Sequence, residues 1–253
     1  MRAKLLILLF VVLAAPLLYA GSGHPVWCEV HVDLGEDGRS RVEYTVQYRH
    51  DSGEFHGFYF DGPQIDSLHP KWDDSYGLAT LSNGRTLKIE RGFNNGKETI
   101  QFANGGGISS GFAIFKFRFA TDFAANGHLA ETTDAEGNKL VVFHWAPSTW
   151  DHSLEHYTVY VRYPTQVSGD PRSDAFLESI HFRTEKWMND SYKIDYPNDK
   201  GRFHVLLHKD YVSTKGKMLI QQYVAASVFT GPSAPRDRTP LTASPCVTPP
   251  RPT

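Results

Sequence analysis

Apolar and polar residues alternate along much of this chain with a period of two, which is typical of β-strands that bury one face. The first clear run has apolar residues at Cys28, Val30, Val32 and Leu34, with polar residues between them. A second alternating run covers 42–48, and a turn with glycine at both ends separates the two. These runs are therefore predicted to pair as an antiparallel hairpin.

Two Asn-Gly pairs predict further hairpins, because both residue types tolerate the positive φ of tight turns. They are Asn83-Gly84 and Asn95-Gly96. The next clear strand signal is a run in which aromatic and basic residues alternate from Phe115 to Phe119. Its phenylalanines are predicted to face the core, and Lys116 and Arg118 to face solvent.

Further strands are predicted over 140–145, over 157–163 with Pro164 as its end, over 203–207 and over 218–229. Helical signals are few in comparison. Residues 173–180 are predicted to form a short helix, with Ser173 or Asp174 as its N-cap.

Short strands separated by turn signals indicate an all-β protein. The predicted fold is an antiparallel immunoglobulin-like or jelly-roll-type β-sandwich over 24–165, followed by a smaller β-rich extension over 166–230. Residues 231–253 are rich in proline and lack any periodicity. This last segment is predicted to be a disordered tail or a linker.

The first twenty residues have the three parts of a secretory signal peptide. Arg2 and Lys4 precede an apolar run over 5–18, and small residues follow a predicted cleavage point after Ala20. An uncleaved N-terminal anchor is the alternative, since Leu18 is large for its place before the cleavage point. We therefore expect an extracytoplasmic protein that is secreted, periplasmic or membrane-anchored on the outside.

Charge and cysteine content narrow the function classes. Asp and Glu number 28 against 26 Lys and Arg, so the composition argues against a nucleic-acid binder. The two cysteines, Cys28 and Cys246, exclude a disulfide-framework fold and a four-thiolate zinc site. Export permits a disulfide between them, but a flexible tail rarely holds the required geometry, and Cys28 on an apolar strand face favours a buried free thiol.

The chain also resembles the DUF2207 family of predicted membrane proteins. The first similar block is Gly53-Glu54-Phe55-His56-Gly57-Phe58-Tyr59-Phe60-Asp61-Gly62-Pro63, which follows an alternating strand. Residues 112–119, 141–150 and 154–164 are similar to later family motifs in order and spacing. Phe60 stands where the family usually has Arg, Gly62 stands where it has an aliphatic residue, and the family continues into a transmembrane segment. The resemblance implies an extracytoplasmic β-sandwich ectodomain and no particular activity.

Possible catalytic and metal-binding motifs are weak. Ser109 lies in a G-x-S-x-G pattern, but a nucleophile elbow needs a helix after the serine, and here a strand is predicted. His152 and His156 have the spacing of two zinc ligands on a helix, yet they precede a predicted strand. We therefore predict no catalytic residue, no metal and no cofactor, and keep His152 and His156 as metal candidates, with Asp51, Glu54 and His56 as a second loop cluster.

Residues 54–60 are rich in aromatic residues between two turns, which indicates either a buried strand edge or a binding surface. The candidate ligand-binding residues are Phe55, His56, Phe58, Tyr59 and Trp150. The leading interpretation is a non-enzymatic, exported module of the cell envelope that binds a protein or a surface ligand. The alternatives are an extracytoplasmic hydrolase or carbohydrate-active enzyme that uses His and carboxylate loops, and a purely structural ectodomain whose membrane segment is missing.

Overall fold

The structure is a computed structural model, and it describes residues 21–60, 62–198 and 201–230. The predicted signal peptide, the proline-rich segment and Cys246 lie outside the described residues. The strands are β1 Ser22–Leu34, β2 Arg39–Ser52, β3 Gly57–Tyr59, β4 Lys71–Trp72, β5 Leu78–Leu81, β6 Thr86–Asn94, β7 Lys97–Phe102, β8 Phe112–Asp122, β9 Leu129–Thr133, β10 Lys139–Trp145, β11 His156–Gln166, β12 Arg183–Thr184, β13 Lys193–Asp195, β14 Arg202–Lys209 and β15 Ile220–Ala225. The helices are α1 Pro63–Asp66, α2 Asp174–Ser179 and α3 Lys186–Ser191, with single 3-10 turns at Ala103–Gly105 and Ala226–Val228.

These strands form two sheets, which confirms the predicted all-β fold. The larger sheet has the order β13-β14-β11-β1-β2-β8-β5-β6-β7-β3, and β4 also pairs with β8. The smaller sheet has the order β12-β15-β10-β9. The predicted β1–β2 hairpin is confirmed, with Val30 opposite Tyr44, and both Asn-Gly turns are present between β5 and β6 and between β6 and β7.

The pairing departs from the expected antiparallel pattern at one ladder. Strands β1 and β11 run parallel, with Val30 opposite Val159, so the larger sheet is mixed. Alternation decides which face a residue occupies but not which strand lies beside it, so this neighbour was not predictable from the pattern.

One aromatic core fills the space between the two sheets. Phe115, Phe117 and Phe119 are buried as predicted. The ring of Phe123, just after β8, lies 5.1 Å from that of Phe143 on β10. The Tyr163 hydroxyl of β11 donates a 2.8 Å hydrogen bond to Gln222 of β15. Side chains of both sheets thus share one desolvated interior.

Residues after 166 contribute to both sheets. Strands β13 and β14 extend the larger sheet, whereas β12 and β15 belong to the smaller one. Strand β11 does not stop at Pro164 but continues to Gln166 through an irregular register, and an irregularity of this kind accommodates a proline without a ladder hydrogen bond. The predicted helix is confirmed as α2, where the Phe176 amide donates to the Ser173 side chain at 3.2 Å.

Candidate binding surface

Most of the predicted ligand-binding aromatics are in the core. Phe55, Phe58 and Trp150 are 2%, 7% and 6% exposed, and Phe58 stacks on Tyr48 with ring centroids 4.3 Å apart. The segment 54–60 folds back so that β3 pairs with β7, which corresponds to the buried strand edge of the two alternatives. These three rings therefore have almost no surface to offer a ligand from solvent.

The other two predicted residues are exposed but separate from each other. The His56 Nδ1–H donates to the Gly106 carbonyl at 2.8 Å, beside the glycine-rich loop. Tyr59 is 48% exposed, and its hydroxyl accepts a 3.1 Å hydrogen bond from Asn94 near the tip of the β6–β7 hairpin. The structure does not bring the five predicted residues together into one site.

The enzymatic and metal candidates are also dispersed. Ser109 lies in an exposed bend, and the chain enters β8 directly after it, so the elbow that a serine nucleophile needs is missing there. The ring of His152 lies near His24, whereas His156 lies in the β11 ladder. Within the described parts of the chain, no group of three or more His, Cys, Asp or Glu side chains is placed to hold a metal ion.

A different surface collects an unusual set of side chains. On five adjacent strands of the larger sheet, the residues that alternate with the core residues point away from the smaller sheet, and we call this surface the outer face. The outer face consists of Trp27, Glu29, His31 and Asp33 of β1, Arg41, Glu43, Thr45, Gln47 and Arg49 of β2, Ile114, Lys116 and Arg118 of β8, His156, Thr158, Tyr160 and Arg162 of β11, and Arg202, His204, Leu206 and His208 of β14.

Planar side chains on the outer face stack across neighbouring strands. Trp27 lies opposite His156, with ring centroids 5.5 Å apart, and His156 stacks in turn on His208 at 5.6 Å. His31 lies opposite Tyr160 at 4.4 Å. Direct and diagonal cross-strand neighbours of this kind stabilise a sheet, and here they form an aromatic and histidine surface on the solvent side of the larger sheet.

Hydrogen bonds also fix the orientation of the His208 and Trp27 rings. The Nε2–H of His208 donates to the Asp210 carboxylate at 3.1 Å, and the Thr158 hydroxyl lies 2.8 Å from the other ring nitrogen. The Trp27 indole N–H donates to the Gln47 side chain. Partial desolvation lowers the pKa of His156 below its ordinary value, although the nearby Glu29 carboxylate acts in the opposite direction. His156 is therefore mostly neutral at pH 7.

A hollow of about 460 Å³ lies on the outer face, and charged groups line it. Asp33 in this hollow receives the Arg202 guanidinium at 2.8 Å and has longer contacts of 3.4 Å with Arg41 and 3.7 Å with Arg162. The Arg162 Nε–H donates to His204 Nε2 at 2.7 Å, so that ring nitrogen carries no proton. The hollow thus presents charged and hydrogen-bonding side chains that suit the recognition of a polar ligand.

Glu43 also lines the hollow. Its carboxylate accepts a 2.7 Å hydrogen bond from the Tyr76 hydroxyl and pairs with Lys116 at 2.9 Å. Burial opposes ionisation of Glu43, but these two partners outweigh it and hold the pKa of the carboxyl below its ordinary value. Glu43 is thus ionised, and Lys116 compensates its charge.

The outer face was not among the predicted sites, although the sequence contains its signal. The alternation that predicts Cys28, Val30 and Val32 as core residues also places Trp27 and His31 on the solvent side of the same strand. A tryptophan and several histidines in the polar register of adjacent strands are an unusual solvent face. Which strands are adjacent became known only from the sheet order.

Comparison with known proteins identifies no family for this chain. No family model matches it, and no curated protein matches it. The resemblance to DUF2207 thus stays a prediction. Among solved structures, a protein from Parabacteroides distasonis named "putative protease" aligns with 80% of this chain and 40% of its own length, at 10% identity and a TM-score of 0.42. This chain spans less than half of that protein, and a likeness at this level carries no argument about fold or activity.

Among the described residues, no helix has the length and apolar character that crossing a membrane requires.

Proposed function

We propose that this protein is an exported, non-enzymatic β-sandwich module of the cell envelope, and that it binds a partner through the outer face. The export part of the proposal depends on the signal-peptide pattern over 1–20. The binding part depends on one observation, which is the stacked and solvent-facing set of Trp27, His156 and His208 with its neighbours on the outer face.

Composition supports a macromolecular partner. Protein interfaces are enriched in Trp, Tyr and Arg relative to other surfaces, and the outer face carries all three. Five strands spaced by about 4.8 Å span roughly 20 Å, and the run from Trp27 to Asp33 covers a similar length. A footprint of this size is a substantial part of the ~800 Å² that each partner buries in a standard interface.

The enzyme alternative receives less support from the geometry. Glu54 and His56 form one loop cluster, with 3.8 Å between the Glu54 carboxylate and the His56 Nε2, and both are more than half exposed. The Ser109 bend follows Ile108, which pairs with Phe55 beside that cluster, but Ser109 is exposed, and His152 contacts His24 instead. Catalytic groups are expected to converge in one water-excluding cleft, and these side chains are spread over exposed loops.

Site-specific photo-crosslinking in intact cells tests the proposal. Thr45 lies on the outer face between Glu29 and Lys116, whereas Thr133 is exposed on β9 of the smaller sheet and provides the matched control. Replacing Thr45 by benzoylphenylalanine should give a defined crosslinked product in the extracytoplasmic fraction, and replacing Thr133 should not. Crosslinking from position 133 alone, or from neither position, would contradict a binding function of the outer face.

A further inference from the structure

We infer that the partner of the outer face is an acidic protein surface, one with a net excess of Asp and Glu over Lys and Arg. This inference rests on the proposed function and specifies its partner. It is carried by the distribution of charge over the whole molecule rather than by any single contact.

The outer face is positive while the chain as a whole is negative. Six basic residues lie on the outer face against three acidic ones, and the whole chain has a formal net charge of −2 with neutral histidines. The basic residues are Arg41, Arg49, Lys116, Arg118, Arg162 and Arg202, and the acidic ones are Glu29, Asp33 and Glu43. Asp73, which pairs with Arg118 at 2.7 Å, reduces the positive excess by one but does not remove it.

The excess of positive charge is spread over several strands of the outer face and is not concentrated in the hollow. Asp33 and Glu43 line the hollow together with Arg41 and Arg162, so positive and negative charges balance there, and a small anion would face two carboxylates as well as two guanidinium groups. Arg49 and Lys116 do not line the hollow: Arg49 is exposed on β2, and Lys116 lies one strand away on β8. A broad field of this kind attracts a surface with distributed negative charge and steers its approach.

The aromatic geometry favours a protein over an acidic polysaccharide. Sugar rings stack on the open face of a Trp or Tyr ring, but Trp27 lies between His156 and Gln47 on the neighbouring strands, and Tyr160 lies between His31 and Leu206. What these rings and the side chains of Thr45 and Gln47 still offer are edges and hydrogen-bonding groups. Ring edges, hydroxyls, amides and arginines together are the usual contact groups of a protein interface.

The test measures binding of a fluorescein-labelled decaglutamate peptide to the mature protein by fluorescence anisotropy, at about 20 mM and about 500 mM salt. We expect binding at low salt, loss of most of it at high salt, and no binding of a decalysine peptide. The double variant Arg41→Glu, Arg49→Glu should weaken decaglutamate binding at least about tenfold. Both side chains are exposed, and an unchanged thermal midpoint would show that the variant folds.

The control is Lys139→Glu, Lys186→Glu, which changes the net charge by the same amount on β10 and α3. It should alter peptide binding less than about twofold, because these charges lie away from the outer face. Equal loss in both double variants, or no binding of decaglutamate at low salt, would overturn the acidic partner. Tighter binding of an oligogalacturonate of equal charge would overturn it in favour of a polysaccharide.

These results are separable from a failure of the proposed function. If position 45 still crosslinks in cells while decaglutamate does not bind, the outer face is an interface and only the acidic character of its partner is refuted. If position 45 gives no crosslink and the peptide does not bind, the outer face itself is refuted.

Discussion

Arg202 and Asp33 form an ion pair at 2.8 Å although they lie 169 residues apart in the chain. The same guanidinium donates to the Leu34 carbonyl at 2.9 Å and to the Tyr163 carbonyl at 3.1 Å. One side chain of β14 therefore holds the ends of β1 and β11 together. It does so at the position where the larger sheet changes from antiparallel to parallel pairing.

Replacing Arg202 by Met should lower the free energy of unfolding by about 2 kcal/mol, because the substitution removes hydrogen bonds from a charged donor to partly buried acceptors. Arg41→Met is the matched control, since Arg41 also contacts Asp33, but only at 3.4 Å and with 55% of its side chain exposed. This control should cost at most about 0.5 kcal/mol. Urea unfolding measures both values, and equal costs would contradict the structural role of Arg202.

The two sides of β8 should differ sharply in their contribution to stability. Phe117 is 3% exposed and its ring lies 4.8 Å from that of Phe60, so Phe117→Ala should cost about 3–5 kcal/mol. Lys116→Ala loses a partly exposed pair with Glu43 and should cost at most about 1 kcal/mol. Similar shifts of the urea midpoint for the two variants would show that the register of β8 is wrong.

His156 should titrate below its ordinary value of 6.5, because partial desolvation disfavours the imidazolium. Since Glu29 favours the imidazolium, Glu29→Gln should lower the pKa of His156 further. An NMR titration of the His156 ring measures both values. A pKa at or above 6.5 in the wild type, or an upward shift in Glu29→Gln, would contradict the structure.

The same shift predicts how stability depends on pH. Below about pH 6.5 the unfolded chain binds a proton at His156 that the folded chain does not bind. The contribution of His156 to the free energy of unfolding therefore falls as the pH decreases from about 6.5 through the lower pKa of the folded state. His156→Gln should therefore flatten the decrease of the thermal midpoint between about pH 7.5 and about pH 5.5. His181→Gln serves as the control at a site away from the outer face, and an equal flattening in both variants would argue against His156 as the cause.

Cys28 should be chemically inert in the folded protein. Its side chain is buried, and burial raises the pKa of the thiol, so neither access nor thiolate is available to a reagent. In a Cys246→Ser variant, Ellman's reagent should detect no thiol under native conditions and one thiol in concentrated guanidinium chloride. Rapid labelling of the native variant would contradict the placement of Cys28 in the core.

The strands with clear alternation were predictable because burial of one face imposes a period of two. This covers β1, β2, β8 and most of β11, together with the Asn-Gly turns, where positive φ requires those residue types. The short strands β3, β4, β12 and β13 were not predictable. A strand of two or three residues is too short to show an alternation of apolar and polar positions, and its pairing depends on the strands beside it.

The candidate site was predicted less well than the fold, and for a physical reason. Aromatic richness in 54–60 is the same signal whether the rings cover a core or contact a ligand, and Phe55 and Phe58 cover the core. The outer face depends on the parallel placement of β11 beside β1, which brings Trp27 to His156 across the ladder. No local pattern in either strand encodes that long-range neighbour.

The parallel ladder between β1 and β11 also determines the order in which the protein can fold. β2 can cover one side of β1 as soon as the hairpin is made, but the other side stays open until residues from His156 onward are available. Pairing between segments so distant in sequence closes late and slows folding, and until then β1 is an unprotected strand edge. We therefore expect that a chain ending before β11 does not settle into a smaller stable sandwich but aggregates through β1, and that the complete sheet unfolds as one cooperative unit.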